Sequence, residues 1–306
     1  MGIELLNLYL KLAGGVVLGL VLGWTLPPSA PAYLGQFLFW VGVPAGIVAF
    51  LRDADLSGSI WIAPVAAWAA ILLGAGLAWA WLKLEGKAKS WSLASQGSFL
   101  LASMVGNTGY LGYPVTLALV GDKYFAWALF YDMLGTLLGA YGLGVALAAR
   151  FGTGTGSRWQ LALAVLQNPA LWSFGFGLAF RDLPLPVRAE QGLRGFAWAT
   201  LALSLVLIGM RLSQLSSWGS LRPACLSLGI KMLLVPLILG AGLPLVGVTG
   251  SARLVLALQM AMPPAFATLV LAEVYNLDRD LAVTALAVGC AGFLLALPVW
   301  LWLFGI

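Results

Sequence analysis

Hydrophobic residues in this chain do not fall at the spacing of a half-buried soluble helix; they run on for about 20 positions at a time, the length needed to cross a bilayer as helix, with short polar clusters between the runs. Roughly ten such runs can be marked by this criterion. They cover residues 5–26, 32–51, 60–82, 91–120, 124–149, 159–180, 195–210, 224–241, 252–275 and 281–304. Barrel strands would alternate and stop after about 10 residues, so the pattern predicts an all-α integral membrane protein. The charged, proline-containing stretch 181–194 is expected to run partly along the surface before the seventh run. The first run passes Leu22 without a small-residue cleavage site and is read as retained.

Two of the runs carry an interruption. The fourth contains Gly106-Asn107-Thr108-Gly109-Tyr110-Leu111-Gly112-Tyr113-Pro114, a poor recipe for helix because Gly costs about 1 kcal/mol and Pro about 3 in a helix interior. The ninth contains Gln259-Met260-Ala261-Met262-Pro263-Pro264-Ala265-Phe266-Ala267-Thr268. Unwound backbone survives at membrane depth only where it is buried in protein or lines a wet cavity. Paired interruptions at matching places point to a transporter built from inverted repeats. The places do match: Pro114 lies 109 positions after Leu5, and Pro264 lies 105 after Trp159, where the second half opens. The expected organisation is therefore a first five-helix repeat at 1–150, a linker at 151–158 and a second, inverted five-helix repeat at 159–306. The fourth and ninth helices are broken. Simple proline kinks in packed helices are the blander alternative.

Composition agrees with the pattern and removes whole chemistries. Across 306 residues, 61% are hydrophobic and 9% charged, against roughly 25% charged in soluble domains. With no histidine, neither an HExxH zinc site nor a Ser-His relay can form. Cys225 and Cys290 sit in separate runs with no metal-like spacing, and read as small buried hydrophobes. An enzyme, a cofactor and a metal site are not expected. The net charge of +5 comes from basic residues placed singly in short loops, which suits an anionic membrane face and not a nucleic acid. Ten spans put both termini on one side. The lysines Lys83, Lys87 and Lys89 and the acid-free linker between Arg150 and Arg158 tip the positive-inside rule toward both termini outside, in the plasma (inner) membrane. Trp79 and Trp81 are expected at the interface. Gly15, Gly19 and Gly23, four residues apart, suit either a homodimer or close packing inside the fold.

Asn107-Thr108 with Gly112-x-Pro114, then Gly121, Asn168-Pro169, Lys231 with Pro236, Met262-Pro263, Leu271-Ala272-Glu273-x-Tyr275-Asn276 and Leu297-Pro298 form an ordered set. On that set the chain resembles the auxin efflux carrier family, which includes the plant PIN auxin exporters and bacterial malate and malonate carriers. The resemblance implies broken fourth and ninth helices crossing at their prolines, with the first, second, sixth and seventh helices as scaffold and the rest as a mobile core. The chain departs from the family twice. The long loop of the plant exporters is replaced by the few residues around 152–156. After the second proline pair stand Ala265 and Phe266, leaving Gln259 and Thr268 as the nearest polar groups. Substrate identity does not carry over.

Half-helices that begin inside the membrane aim N-H groups and a partial positive charge into the cavity, where a carboxylate can bind. The expected function is transport of small organic anions, possibly auxin-like, by an elevator-type alternating-access mechanism. An anion channel or a non-transporting sensor on the same fold is the alternative. Asn107 and Thr108 would supply side-chain hydrogen bonds, Gly109 close backbone approach and Pro114 a freed carbonyl. Gln259, Pro263, Pro264 and Thr268 would form the other side. Asn107 could instead only hold the break together. Two ionisable residues lie deep in the runs, Asp132 and Lys231, where a charge costs at least about 2.5 to 3.5 kcal/mol. For Lys231 the resemblance implies a structural or substrate-gating role near the crossover, where a cation can replace a coupling ion. Asp132 either carries a coupling proton or neutralises Lys231.

Overall fold

A computed structural model describes residues 2–84, 90–153, 163, 166–214 and 220–305. Lys87, Lys89, Arg158, Trp159 and most of the expected linker lie outside them. The regular secondary structure of the described residues is helical, apart from one isolated β-bridge. In chain order the helices are α1 (Gly2–Thr25), α2 (Ala30–Asp53), α3 (Ile62–Leu84), α4 (Leu93–Met104), α5 (Gly112–Val120), α6 (Asp122–Phe151), α7 (Pro169–Phe180), α8 (Val187–Ser213), α9 (Leu221–Val246), α10 (Gly250–Ala261), α11 (Phe266–Val274) and α12 (Arg279–Phe304). Six of them, α2, α3, α6, α8, α9 and α12, are individually long and apolar enough to cross a membrane. The interrupted runs give two short helices each, α4 with α5 and α10 with α11, so neither run contributes a span-length helix.

One boundary is corrected: the helix expected from about residue 195 already starts at Val187, with Pro186 as N-cap and Glu190 in the first turn, where a carboxylate suits the positive helix end. Three of the long helices contain π-turns, at Leu38–Gly42 in α2, Asp132–Thr136 and Ala140–Gly144 in α6, and Gly229–Leu234 in α9. In α2 and α9 the π-turn ends two residues before a proline, Pro44 and Pro236, whose missing N-H already disturbs the ladder.

The chain folds into two compact units. Unit 1 comprises Met1–Ile60, Gly109–Leu129 and Leu166–Leu215. Here α1 lies against α8 backbone to backbone: a Cβ on Gly19 would run into the Val206 carbonyl, and one on Gly209 into the Val16 carbonyl. The glycine spacing of the first run is thus used inside the fold. α2 packs on α7 and α8, with Gly177 admitting Leu51. Unit 2 comprises Trp61–Thr108, Phe130–Val165 and Ser216–Ile306. Its α3 and α6 approach through Gly135 at Ala67 and Gly139 at Ile71, and Trp68 Nε1 donates to the Leu134 carbonyl at 3.1 Å. Leu101, Met104, Val105, Leu271, Tyr275 and Ala282 form part of its core. Trp79 is exposed under the Lys83 ammonium, 3.7 Å from its ring, whereas Trp81 turns inward onto Trp91 and Phe99. Asp278 caps α12 by accepting from Leu281 N, and takes a hydrogen bond from Ser95 as α4 begins. Cys225 and Cys290 are both free.

Candidate functional site

Both interruptions unwind where the sequence puts them. α4 ends at Met104, and Val105 is already extended at φ −105, ψ 117. α10 ends at Ala261, and Met262 turns to φ −59, ψ 139, as expected for a residue before proline. Pro263 and Pro264 carry no N-H, so α10 cannot continue through them. The freed backbone groups find each other. Asn107 N donates to the Pro263 carbonyl at 2.7 Å, Ala265 N donates to the Val105 carbonyl at 3.1 Å, and Gly106 and Pro264 form the antiparallel bridge. This short ribbon satisfies polar groups that hydrocarbon would leave bare. α11 starts directly after it, with Ala265 as N-cap, so the positive end of that helix lies at the ribbon.

Around the ribbon, unit 2 gathers most of the expected site residues. Lys231, in the π-turn of α9, is buried at 1% exposure, and its Nζ donates to the Met260 carbonyl at 2.7 Å. That carbonyl is the one acceptor seen for the ammonium among the described residues. Asn107 is 4% exposed, and its Nδ2 has no hydrogen-bond partner. Thr108 donates its hydroxyl to Asp132, which opens the π-turn of α6. The deep acid thus has Thr108 among its partners, and the deep base has the Met260 carbonyl. Gln259 is fully buried on the last turn of α10. Thr268 turns its hydroxyl back to donate to the Ala265 carbonyl at 2.7 Å, within its own helix. Gly109 and Pro114 belong to unit 1. Pro114 sits in the first turn of α5, so the Tyr110 carbonyl lacks a donor four residues on; the Ser204 hydroxyl reaches it at 3.0 Å, sharing its one hydrogen with the Leu201 carbonyl at 2.7 Å.

Two glycines absent from the expected site shape it. A Cβ on Gly106 would stand 3.1 Å from Lys231 Cε, 3.2 Å from Nζ and 3.3 Å from the Met262 carbonyl. The missing side chain gives the ammonium room to lie against the ribbon. A Cβ on Gly289 of α12 would meet Pro263 Cβ at 2.9 Å and Pro264 Cδ at 3.0 Å. Gly106 stood inside the marked interruption, so its position was legible. Nothing in the sequence around Gly289 gave a signal. Among the described residues no group of three His, Cys, Asp or Glu gathers to hold a metal. The ribbon instead offers buried donors, a buried ammonium and a helix N-terminus, an environment suited to a bound anion.

The family model for membrane transport proteins matches residues 3–152 and 158–301. The chain belongs to this family, the auxin efflux carriers. Relatives of this carrier include an uncharacterized transporter of Methanothermobacter thermautotrophicus, 31% identical over 273 residues, which are 87% of each chain. An uncharacterized transporter of Methanocaldococcus jannaschii is 28% identical over 219 residues, 68% of each chain. As a member of a membrane transporter family, with apolar helices of spanning length, this carrier is a multi-pass integral membrane protein. The auxin efflux carriers are transporters and not enzymes at the level of the family.

Proposed function

We propose that the chain is a secondary carrier of small organic anions, carboxylates above all, that binds them at the ribbon and moves them by elevator-type alternating access. The observation that carries this reading is the unpartnered Asn107 amide on the same ribbon against whose Gly106 the buried Lys231 lies, its Nζ having one carbonyl acceptor among the described residues. Donors buried without acceptors cost about 1 to 3 kcal/mol each, and a carboxylate would take up that cost on binding. Lys231 stands as a fixed cation where a coupling ion would otherwise be needed. In this reading ten spans form two inverted five-helix repeats with the fourth and ninth crossing, unit 2 carries the site, and unit 1 is the scaffold. Both termini face outside the plasma membrane, and the partners are the substrate, the bilayer and, in a dimer, a second copy.

The test is a thermal-shift screen of mono- and dicarboxylates and auxin-like aromatic acids on purified protein, followed by exchange in proteoliposomes. A ligand at 100 times its dissociation constant adds about 2.7 kcal/mol of stability. The expected result is a carboxylate that stabilises the protein and exchanges saturably. Linear, non-saturating flux over a broad anion panel would replace the carrier with a channel. Stabilisation without flux would leave a sensor on the carrier fold.

A further inference from the structure

The turn that joins α11 to α12 ties together parts of unit 2 that lie far apart in the chain. α11 ends at Val274, and Asn276 takes the left-handed conformation at φ +52, which asparagine tolerates better than most side chains. The Leu277 N-H closes back on the Ala272 carbonyl at 2.8 Å, and Asp278 then caps α12. One oxygen of its carboxylate accepts from Leu281 N at 3.0 Å, and the other accepts from the Ser95 hydroxyl at 2.7 Å. The backbone of the same residue donates to the Ala94 carbonyl at 3.3 Å and accepts from the Ser98 hydroxyl at 2.8 Å. Ser95 gives its hydrogen to Asp278, so the Ser92 hydroxyl that caps α4 donates to Ser95 at 2.9 Å, and each bond polarises the next. Gly97 lets α4 close in, since a Cβ there would stand 2.9 Å from Leu277 Cδ2.

From this corner three helical rods of similar length reach the ribbon. α4 runs from it for 12 residues to Met104 and enters the ribbon at Val105. α11 runs back to it from the ribbon, its 9 residues starting after Ala265. α12 starts at it and passes the ribbon at Gly289, where a Cβ would meet Pro263 and Pro264. At about 1.5 Å per residue the three spans measure roughly 14 to 18 Å, and the rods pack on one another pairwise. A helix does not stretch, so a slip between α4 and α12 at the corner must reappear at the ribbon. There the bonds from Asn107 N to the Pro263 carbonyl and from Ala265 N to the Val105 carbonyl demand a fixed register. We propose that Asp278 is the positioning residue of the ribbon: it fixes the start of α4 against the start of α12, and through them sets how residues 105–107 face 263–265. The positioning stands without a substrate; its consequence for binding rests on the carrier reading.

Hydrogen exchange tests this by comparing peptides at the corner, 92–98 and 279–284, with peptides at the ribbon, 105–108 and 262–266. Ser95→Ala with Ser98→Ala removes the side-chain bonds between α4 and Asp278 and leaves the cap of α12 in place. Exchange at the ribbon should then be faster by about 3- to 10-fold, with 279–284 unchanged. Asp278→Ala should raise exchange at the ribbon at least as much, and Asp278→Asn, whose amide oxygen still accepts from Leu281 N, should restore most of the protection. Arg279→Gln breaks the exposed ion pair with Glu273 in the same turn and should leave the ribbon as it is. Faster exchange confined to the corner in the double serine variant, an Asp278→Asn that behaves as Asp278→Ala, or an equal rise at the ribbon in Arg279→Gln would overturn the proposal. In proteoliposomes the double serine variant should raise the half-saturating carboxylate concentration for exchange by about 5- to 20-fold, with the maximal rate within about twofold of native. A loosened ribbon with native half-saturation would keep Asp278 as the positioning residue and take the carboxylate site away from the ribbon.

Discussion

Gly106 and Asn107 are neighbours in the chain and answer to different physics. The Asn107 amide is a buried donor without an acceptor, so its removal should not cost folding free energy. Asn107→Ala is expected to leave the melting temperature of the ligand-free protein unchanged or slightly raised. Binding should weaken by about 10- to 150-fold, the equivalent of a hydrogen bond to a charged group worth about 1.5 to 3 kcal/mol. Titrating a stabilising carboxylate against both proteins measures the two effects separately. A variant that aggregates with no stable fraction would make Asn107 a structural tie. Gly106 behaves in the opposite way. An alanine there would press on Lys231 and on the Met262 carbonyl, and overpacking of this kind costs about 1 to 3 kcal/mol. Gly106→Ala should lower the melting temperature, and adding Lys231→Met should recover the share owed to the ammonium but not the share owed to the carbonyl. If the second change recovers nothing, the ammonium is not what the alanine displaces. An asparagine inside an apolar run is visible in sequence because it violates the pattern. What Gly106 makes room for is not, because Lys231 lies 125 positions further along the chain.

At the scale of the elements, hydrophobic run length located the helices well and the helix breaks better still, because a proline acts on its own neighbours. Pro263-Pro264 stop α10 by removing N-H groups, and no tertiary contact is needed to say so. Helix starts were harder. α8 begins eight residues before the run that predicted it, since a helix end tolerates Arg188 and Glu190 once Arg194 has carboxylate partners from elsewhere in the fold. The π-turns that hold Asp132 and Lys231 left no mark in the hydropathy pattern, as one extra residue in a turn barely changes it. Pro114 allows an element-scale prediction. Winding α5 back by a turn would drive the proline ring into the Tyr110 carbonyl, and that carbonyl is already held by Ser204. Pro114→Ala removes the clash and supplies an N-H in competition with Ser204. The helix should then extend into 108–111 and stiffen the unwound stretch. The expected outcome is a carboxylate affinity within a few-fold of native and a clearly slower exchange rate. A loss of affinity at native turnover would place Pro114 in the binding surface instead.

For the whole molecule, the two deep ionisable residues decide what drives accumulation. Asp132 and Lys231 both belong to unit 2, so under the proposed elevator mechanism an acid and a base of opposite charge would travel together and cancel. The charge that crosses the membrane is then the substrate's own. For a monoanion, 100 mV of membrane potential is worth about 2.3 kcal/mol, or roughly a 50-fold ratio of concentrations at equilibrium, with no response to a pH gradient. If Asp132 instead delivered one proton with each monoanion, the loaded unit would cross without net charge. Accumulation would then follow the pH gradient, about tenfold per unit, and ignore the potential. Asp132 already accepts the Thr108 hydroxyl, and Lys231 is a base of the same unit, so potential-driven uniport is the expected result. Proteoliposomes loaded to fixed potassium-diffusion potentials, with and without an imposed pH gradient, distinguish the two by the equilibrium ratio alone. Asp132→Asn should leave that ratio where the native protein has it, because a ratio at equilibrium depends on what crosses and not on how fast. Native accumulation that follows pH and disappears in Asp132→Asn, with exchange preserved, would make Asp132 the proton carrier.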